Sequence, residues 1–247
     1  MGLVETEAIV LRSFKLAEAD KIVSCLTKKM GVIRGVAHGA RRLKNRYGAS
    51  LEPFTCIALT YFEKEGRELV TLKNAEIVRS YFQLAQNSET IAALEYLSEL
   101  ALEFSPPHEP NEKLFRLMNA CLEAIEKETE CVDGVVRYYE IWILKLSGFL
   151  GDLNHCRNCR RRLVEEVSIL NAEGALSCKL CAHDMGVHIS TDAVSLLRLM
   201  LRLTPAEWAR HAPTKEIKSE LAELTKRLMT RALEHIPRGL KTSTKKF

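Results

Sequence analysis

The first 82 residues alternate short runs of apolar and β-branched residues with segments rich in turn-forming residues. Six such runs lie between Val4 and Phe82, and turn chemistry separates them most clearly at 29–31 and 65–67. Short β-branched runs bounded by glycine are typical of β-strands. Five or six short strands at even spacing favour a small closed barrel over a sandwich. We therefore predict a β-barrel domain over residues 1–82.

The spacing of the apolar residues changes to a helical period after Phe82 and keeps that period through much of the remaining chain. Five helices are expected, and they predict a helical domain over 83–236. Their predicted starts lie after Ser88 as N-cap, after the prolines at 106–110, at Val135, at Ser190 or Thr191, and at about Thr214. The segment 237–247 is basic and has few apolar residues, so we expect a mobile tail.

Four of the eight cysteines form two CxxC pairs whose spacing predicts a metal site. Eighteen residues separate the first pair from the second. Two residues between paired thiols let both sulfurs of a tight turn face one ion, and two such knuckles complete a tetrahedral site that suits Zn²⁺. Because no ligand position is left open for a catalytic water, the zinc is expected to be structural. The predicted ligands are Cys156, Cys159, Cys178 and Cys181, within a zinc-binding insertion over 152–186.

Other uses of these cysteines stay open on spacing alone. An iron–sulfur cluster takes the same four thiolates, and a redox-active pair also uses the CxxC spacing. His155 and His183 flank the knuckles, but four thiolates leave them redundant as ligands. The other cysteines occur singly, and Cys25, Cys56 and Cys121 lie within apolar patterns that suit small core residues.

Positive charge is concentrated in one part of the chain. The segment 21–51 holds eight Lys or Arg residues and no Asp or Glu, which leaves −4 for the rest of a chain whose net charge is +4. Segregated charge indicates a polyanionic partner, and a barrel of the oligonucleotide-binding type makes that partner a nucleic acid. A solvated loop is the alternative interpretation. The predicted DNA-contacting residues are Arg34, Arg41, Arg42, Lys44 and Arg46.

Two further features bear on this hypothesis. Tyr47 and Phe54 are near enough in sequence to stack on a base. A smaller cluster of arginines at 157 and 160–162 adjoins the first cysteine knuckle, where it serves either as a DNA contact or as a solubilising surface. Most of the compensating negative charge is expected in the helices, since 83–150 holds twelve acidic residues against five basic ones.

Sequence signatures of enzymes and of export are missing. No HExxH or GxSxG motif occurs, and 239–243 departs from a phosphate-binding loop because Leu240 separates its glycine from its lysine. We therefore expect a protein that is not an enzyme. The N-terminus does not have the pattern of a signal peptide, and no 18-residue apolar stretch occurs, so we expect no membrane association and a cytoplasmic location.

Two stretches of the sequence resemble the RecO family of bacterial DNA repair and recombination mediators. EAIVLRSFKLAEADKIVSCLTKKMGVIRGVAHGARRLKNRYGASLEPF, residues 7–54, is similar to the family's N-terminal barrel. LSGFLGDLNHCRNC followed by GALSCKLC is similar to its zinc-bearing segment. The likeness extends over essentially the whole chain. The order of GARR, a basic loop and LEPF in the first stretch is more distinctive than a single CxxC pair.

The resemblance implies an α+β multidomain protein, with an N-terminal OB-fold barrel and a C-terminal helical domain that carries the zinc knuckle. It also implies a mediator that binds single- and double-stranded DNA, anneals complementary strands and, with RecR, helps to load recombinase. The implied site of loading is single-stranded DNA coated by single-stranded DNA-binding protein (SSB), and the C-terminal tail of SSB is a further implied partner. The implied location is the bacterial cytoplasm, in association with the nucleoid. The five predicted DNA-contacting residues match the family's proposed DNA-binding region.

Two other functions stay open at this point. A translation or RNA-processing factor would use the same barrel on structured RNA, and competition between single-stranded DNA and RNA discriminates the two through 2′-hydroxyl contacts. A zinc hydrolase would need an open ligand position, which a four-thiolate site lacks. The sequence does not determine the SSB-binding residues, the stoichiometry with RecR or any involvement of RecF.

Overall fold

The computed structural model of the chain describes residues 2–64, 66–106, 109–163, 168–171, 174–182, 186–211 and 214–233. The chain forms two compact units that divide between Thr129 and Glu130. The first unit contains the strand-rich N-terminal region and two α-helices. The second contains the cysteine knuckles, a small sheet and the remaining helices.

Five strands form a closed barrel in the first unit. They are β1 (Gly2–Leu16), β2 (Asp20–Thr27), β3 (Gly31–Ala37), β4 (Thr55–Glu63) and β5 (Leu69–Ser80). Neighbouring strands follow the order β1-β2-β3-β5-β4, and β4 pairs with β1 to close the barrel. The pairs are antiparallel except for β3 with β5, which run parallel. β5 unites two runs that the sequence pattern presents separately, because register shifts against β4 let it bend around the barrel.

The parallel contact between β3 and β5 depends on a glycine. Gly35 pairs with Val70, and a Cβ at position 35 would lie 2.6 Å from Leu72 Cδ2 and 3.0 Å from Val70 Cγ2. Both neighbours are buried in the barrel core. The missing side chain therefore lets the two strands approach closely enough to complete the barrel.

The long segment 38–54 between β3 and β4 packs into the barrel rather than away from it. Ala40, Tyr47 and Leu51 belong to the barrel's buried core, and Tyr47 and Leu51 are only 3 % and 1 % exposed. The Tyr47 hydroxyl donates a hydrogen bond to the carbonyl of Leu72 on β5 at 2.9 Å. We call this segment the basic loop. Its backbone is held at several points by the core beneath it.

Two helices complete the first unit, α1 (Ser88–Phe104) and α2 (Glu112–Lys127). The predicted N-cap of α1 was wrong by one residue, because Asn87 and not Ser88 caps the helix. The Asn87 side chain accepts from the backbone N–H groups of Glu89 at 2.8 Å and Thr90 at 3.3 Å. Asn111 caps α2 in the same way, after the predicted proline break.

An ionic contact joins α2 to the barrel. Arg79 on β5 pairs with Glu123 at 3.3 Å and with Glu126, and its guanidinium lies 4.9 Å from the ring centre of Tyr81. The Cys56 thiol lies 3.4 Å from the Asn119 side-chain oxygen on the same helix. Part of the acidic surface of α2 therefore forms ion pairs with the barrel.

The second unit combines helices with a three-stranded sheet of order β7-β6-β8. Its elements are α3 (Val132–Leu146), β6 (Ser168–Leu170), β7 (Leu176–Cys178), α4 (Lys179–Ala182), β8 (Val187–Ile189), α5 (Thr191–Met200), α6 (Pro205–Ala209) and α7 (Lys215–Leu233). The helix predicted to begin at Ser190 or Thr191 begins at Thr191, and the Ser190 hydroxyl caps it by accepting from Ala193 N at 3.1 Å. In the sequence analysis the sheet and α6 were missed, although Thr204 and Glu207 form a capping box at the start of α6.

The structure does not test several predictions made from the sequence. The proposed domain limits after residues 82 and 236, and the insertion limits at 152 and 186, stay predictions. The tail over 237–247 lies outside the described residues. Within the described ranges, no helix combines the length and apolarity that crossing a bilayer requires.

Replacing Gly35 by alanine tests the close approach of β3 and β5. We expect Gly35→Ala to lower the free energy of unfolding by about 1–3 kcal/mol, because the new methyl group overpacks the core against Leu72 and Val70. Gly2→Ala is the matched control, since a Cβ there meets no atom within 4 Å. Urea denaturation of both variants makes the comparison. Equal midpoints for the two variants would contradict the account of how the barrel closes.

Candidate nucleic-acid interface and metal centre

The five predicted DNA-contacting side chains are all exposed. Arg34 points outward from β3, while Arg41, Arg42, Lys44 and Arg46 lie on the basic loop that follows this strand. We call these five residues the basic set. The structure brings four of them into six consecutive positions of one loop and places the fifth on the strand that leads into it.

The first part of the basic loop is tied to the turn between β1 and β2. The Asp20 carboxylate accepts from the backbone N–H of Gly39 at 2.8 Å and contacts His38 Nδ1 at 2.7 Å. Arg41 adds two hydrogen bonds, from its backbone N–H to Ala19 O at 2.9 Å and from Nη1 to Ala17 O at 2.7 Å. The backbone hydrogen bond from Gly39, followed by that of His38, lowers the pKa of Asp20. The carboxylate therefore stays charged while it holds the loop.

Asn45 fixes the second part of the loop, and the sequence analysis missed it. Its side-chain oxygen accepts from the backbone N–H groups of Tyr47 at 2.9 Å and Gly48 at 2.8 Å. Its amide nitrogen donates to Arg42 O at 3.0 Å. An asparagine three residues before a glycine, in a segment without periodic apolar residues, is a signal for such a turn. Asn45 thus sets the backbone path between the loop's basic residues.

The positive charge of segment 21–51 is partly neutralised in three dimensions. Lys21 pairs with Glu52 at 3.0 Å, and Lys28 pairs with Glu7 at 2.7 Å. Both acids lie outside the acid-free segment and reach its lysines through strand pairing and loop packing. Within the described parts of the chain, no member of the basic set forms an ion pair with a carboxylate. The exposed charge of the segment is therefore concentrated on the basic set.

The suggestion that Tyr47 and Phe54 stack on a base was wrong. Each side chain is 3 % exposed, because Tyr47 fills the barrel core and Phe54 packs where the chain enters β4. Phe54 N donates to Val10 O at 2.8 Å, which anchors that end of the loop. Arg46 instead covers Tyr47 from outside, with its guanidinium carbon 5.0 Å from the ring centre. The loop's aromatic residues are structural supports.

The four predicted metal ligands come together in the second unit. The sulfur atoms of Cys156, Cys159, Cys178 and Cys181 all lie within 4.8 Å of one another. Cys156 and Cys159 occupy a tight turn, while Cys178 ends β7 and Cys181 lies in the short helix α4. Cys156 and Cys178 are buried and the other two are more accessible. This cluster could hold a metal ion.

Backbone hydrogen bonds prepare two of these thiols for ionisation. Burial raises the pKa of Cys156, but N–H groups of Cys159, Cys178 and Asn158 outweigh it and bring that pKa to about 6. The N–H group of Cys181 similarly helps to lower the pKa of Cys178 against its burial. Hydrogen bonds with Cys178 and Cys159 raise the pKa of Cys181 to about 12. Four thiolates at this spacing repel each other, so full ionisation requires a balancing cation.

Arg198 on α5 holds the base of the first knuckle, which the sequence analysis did not anticipate. Its guanidinium donates to Leu153 O at 2.9 and 2.6 Å and to Leu163 O at 2.5 Å. Burial, followed by repulsion from Arg162, lowers the pKa of Arg198. The two carbonyls lie on either side of the Cys156–Cys159 turn. Arg198 therefore joins the two ends of the first knuckle.

The neighbouring histidine and the single cysteines do not join the cluster. His155 contacts Asp152 at 2.8 Å, and His183 lies outside the described residues. Cys25, Cys56 and Cys121 are buried, as predicted for small core residues. Burial raises the pKa of Cys25 to about 12 and that of Cys56 to about 11, so these thiols stay protonated.

Comparison with known proteins agrees with the resemblance drawn from the sequence. Residues 1–81 match the family model "Recombination protein O N terminal", and residues 85–242 match "Recombination protein O C terminal". A relative named DNA repair protein RecO from Dehalococcoides mccartyi (strain 195) is 30 % identical over 238 residues, or 96 % of this chain and 93 % of that protein.

Two further relatives carry the same name. The one from Koribacter versatilis is 30 % identical over 246 residues, covering 98 % of this chain and 97 % of that protein. The one from Geobacter metallireducens is 33 % identical over 198 residues, which is 80 % of each chain. The two family models and the near full-length relatives establish that this chain belongs to the RecO family.

Proposed function

We propose that the protein acts in DNA repair and homologous recombination by holding DNA strands on its basic loop, without catalysing a change in any bond. The observation that carries the proposal is the exposed basic set, which lies on β3 and on a loop whose backbone is fixed by the barrel core. The name shared by the relatives, DNA repair protein RecO, supports a role in repair.

Electrostatics favours a phosphate backbone as the ligand. Each phosphate that a cation neutralises releases condensed counterions, and the resulting binding is insensitive to base sequence. A loop that is already ordered loses little conformational entropy when it binds. If each member of the basic set contacts one phosphate of a single strand, log affinity falls with log salt at a slope of about −3.5. That slope corresponds to roughly a hundredfold loss of affinity between about 50 and 200 mM salt.

The barrel topology supports assignment to the OB-fold. OB-folds are five-stranded barrels that bind oligonucleotides on the face of strands 2 and 3 and on the loops between strands 1 and 2 and between strands 4 and 5. In this chain β3 carries Arg34 and leads directly into the basic loop. Arg34 on strand 3 supports the proposed DNA site, and the basic loop extends that site along the connection from β3 to β4.

We further propose that the bound strands are annealed and that the protein works with partners in the bacterial cytoplasm. Basic side chains screen the repulsion between two phosphate backbones, so that complementary strands can meet on the protein. RecR and the C-terminal tail of SSB are the proposed protein partners, and double-stranded DNA is a second nucleic-acid ligand. Family membership supports these roles, and no residue is assigned to the protein contacts.

The four-cysteine cluster is proposed to bind zinc in a structural role. Four sulfur ligands suit tetrahedral Zn²⁺ and leave no position for a reactive water. Bound zinc would supply the positive charge that lets all four thiols ionise together. Cys156 and Cys159 lie on the turn whose ends Arg198 joins, and Cys178 ends β7, so the metal would link that turn to the small sheet.

Removing three charges of the basic set tests the DNA site. Arg34, Arg42 and Lys44 make no side-chain hydrogen bond within the described residues, so their replacement by alanine leaves the loop's own anchors in place. We expect the triple variant to bind oligo(dT) more weakly and to reduce the steepness of the salt slope by about 2, since three phosphate contacts are lost. Fluorescence anisotropy titrations at several salt concentrations measure both quantities.

The control for this experiment removes the same charge elsewhere. Lys28, Arg116 and Arg227 are exposed or nearly so and pair with Glu7, Glu112 and Glu223. Their joint replacement by alanine should leave the slope near that of the unmodified protein. Identical slopes for the two triple variants would contradict the site assignment. A matching oligo(U) ligand that competes more strongly than oligo(dT) would instead favour an RNA-binding function.

Metal analysis tests the zinc proposal. We expect about one equivalent of zinc per chain, its loss in Cys178→Ser, and a lower thermal midpoint of that variant, because structural zinc binding contributes to folding. Cys25→Ala is the control, since this buried cysteine lies in the barrel and should leave the zinc content unchanged. Less than about half an equivalent of metal, with unchanged folding after chelation, would refute structural zinc.

A further inference from the structure

The barrel carries a row of apolar side chains across β1, β2 and β3. On β1, Phe14 is 52 % exposed and Leu16 is 37 % exposed. Phe14 pairs with Ile22 on β2, and Ile22 pairs with Val36 on β3. Directly opposed residues of neighbouring strands share one face of the sheet, so these side chains form a continuous strip. We call Phe14, Leu16, Ile22 and Val36 the apolar row.

The apolar row lies on the outer face of the barrel. Val23 follows Ile22 and Ala37 follows Val36, and both Val23 and Ala37 belong to the buried core inside the barrel. Successive residues of a strand point to opposite faces, so Ile22 and Val36 point outward. Single apolar residues on a surface need no explanation, whereas a contiguous exposed strip indicates a binding site.

Basic side chains border the apolar row on the same outer face. Arg12 pairs with Ser24, and Ser24 pairs with Arg34 of the basic set, which forms the next row across the same three strands. Residues two positions apart on a strand share a face, so Arg12 lies beside Phe14 and Arg34 lies beside Val36. An exposed aromatic ring is thereby placed next to guanidinium groups.

The basic loop borders the other end of the apolar row. Leu16 pairs with Asp20 in the last pair of the hairpin formed by β1 and β2. Arg41 of the basic set donates to two carbonyls of the turn that follows this pair. Of the two acids at this end, Asp20 accepts from Gly39 N of the loop at 2.8 Å, and Glu18 lies within the turn. The apolar row is therefore continuous with the proposed DNA site.

We propose that Phe14 stacks on an unpaired base of the strand held by the basic set, and that this contact makes the site prefer single-stranded DNA. An aromatic ring bordered by cations matches a strand whose phosphates contact the guanidinium groups while a base lies on the ring. In a duplex the bases are paired and stacked on one another, so no base face is free. This inference rests on the proposed function, because it takes the phosphate contacts of the basic set as given.

Replacing Phe14 by alanine tests the stacking contact. We expect Phe14→Ala to bind oligo(dT) about tenfold more weakly, since stacking on an aromatic side chain contributes affinity of this order for one base. The salt slope should stay that of the unmodified protein, because no charge is removed. Affinity for duplex DNA and for an abasic oligonucleotide of the same length should not change, because neither offers a free base. Fluorescence anisotropy titrations measure all four quantities.

Matched variants separate stacking from a general loss of apolar surface. Phe82→Ala is the control, since Phe82 is 48 % exposed and follows β5, outside the apolar row, and it should bind oligo(dT) as the unmodified protein does. Phe14→Trp keeps an aromatic ring and should keep the affinity, and oligo(dT) but not the abasic strand should quench its added fluorescence. Should Phe14→Ala unfold, Phe14→Leu keeps an apolar side chain without the ring and should bind oligo(dT) more weakly than Phe14→Trp.

The outcomes distinguish this inference from the proposed function. Equal affinities of Phe14→Ala and Phe82→Ala for oligo(dT) would overturn the stacking contact, leave the basic set standing and favour a protein as the partner of the apolar row. An equal loss of affinity for oligo(dT) and for the abasic strand would also overturn it, because the bases would then play no part. Failure of the unmodified protein to bind oligo(dT) would contradict the proposed function itself.

Discussion

The packing of Tyr47 and Leu51 into the barrel core is the interaction on which the proposed DNA site depends. A loop of seventeen residues, 38–54, with two glycines and four closely spaced basic residues would otherwise be expected to move freely. The two buried side chains, the hydrogen bond from Tyr47 to Leu72 O and the Asp20 contact with Gly39 hold its backbone at separate points. The packing of the loop into the barrel thereby offsets the electrostatic repulsion among its basic residues.

Charge patterning in the sequence located the basic loop but overstated the unpaired charge of the segment 21–51. The segment 21–51 is acid-free along the chain, yet Glu7 and Glu52 reach Lys28 and Lys21 in three dimensions. The register of β1 against β2 brings Glu7 near Lys28. The periodicity of the sequence does not specify this register. The burial of Tyr47 was also missed, because its neighbours in the sequence are charged and polar and gave no sign that its side chain packs into the barrel core.

The region around the four-cysteine cluster was also predicted only in part: cysteine spacing predicted the cluster, but it did not predict the contacts that hold the cluster in place. Two CxxC pairs predicted the cluster, since local turn geometry places both sulfurs of a pair together. The Arg198 clamp could not be predicted, because its carbonyl partners Leu153 and Leu163 lie 45 and 35 residues away and carry no side-chain signal. The small sheet was missed because strands of three residues show too little periodicity. By contrast, the long helices were predicted to within a few residues.

Amide hydrogen exchange across residues 38–54 tests most directly whether the basic loop is a prearranged DNA site. The account predicts that Gly39, Arg41, Tyr47 and Gly48 exchange slowly in the free protein, because each amide is hydrogen-bonded or packed on the core. Added oligo(dT) should then slow exchange only modestly further. Exchange at the rate of an unstructured chain in the free protein, with strong protection appearing only on adding DNA, would contradict it.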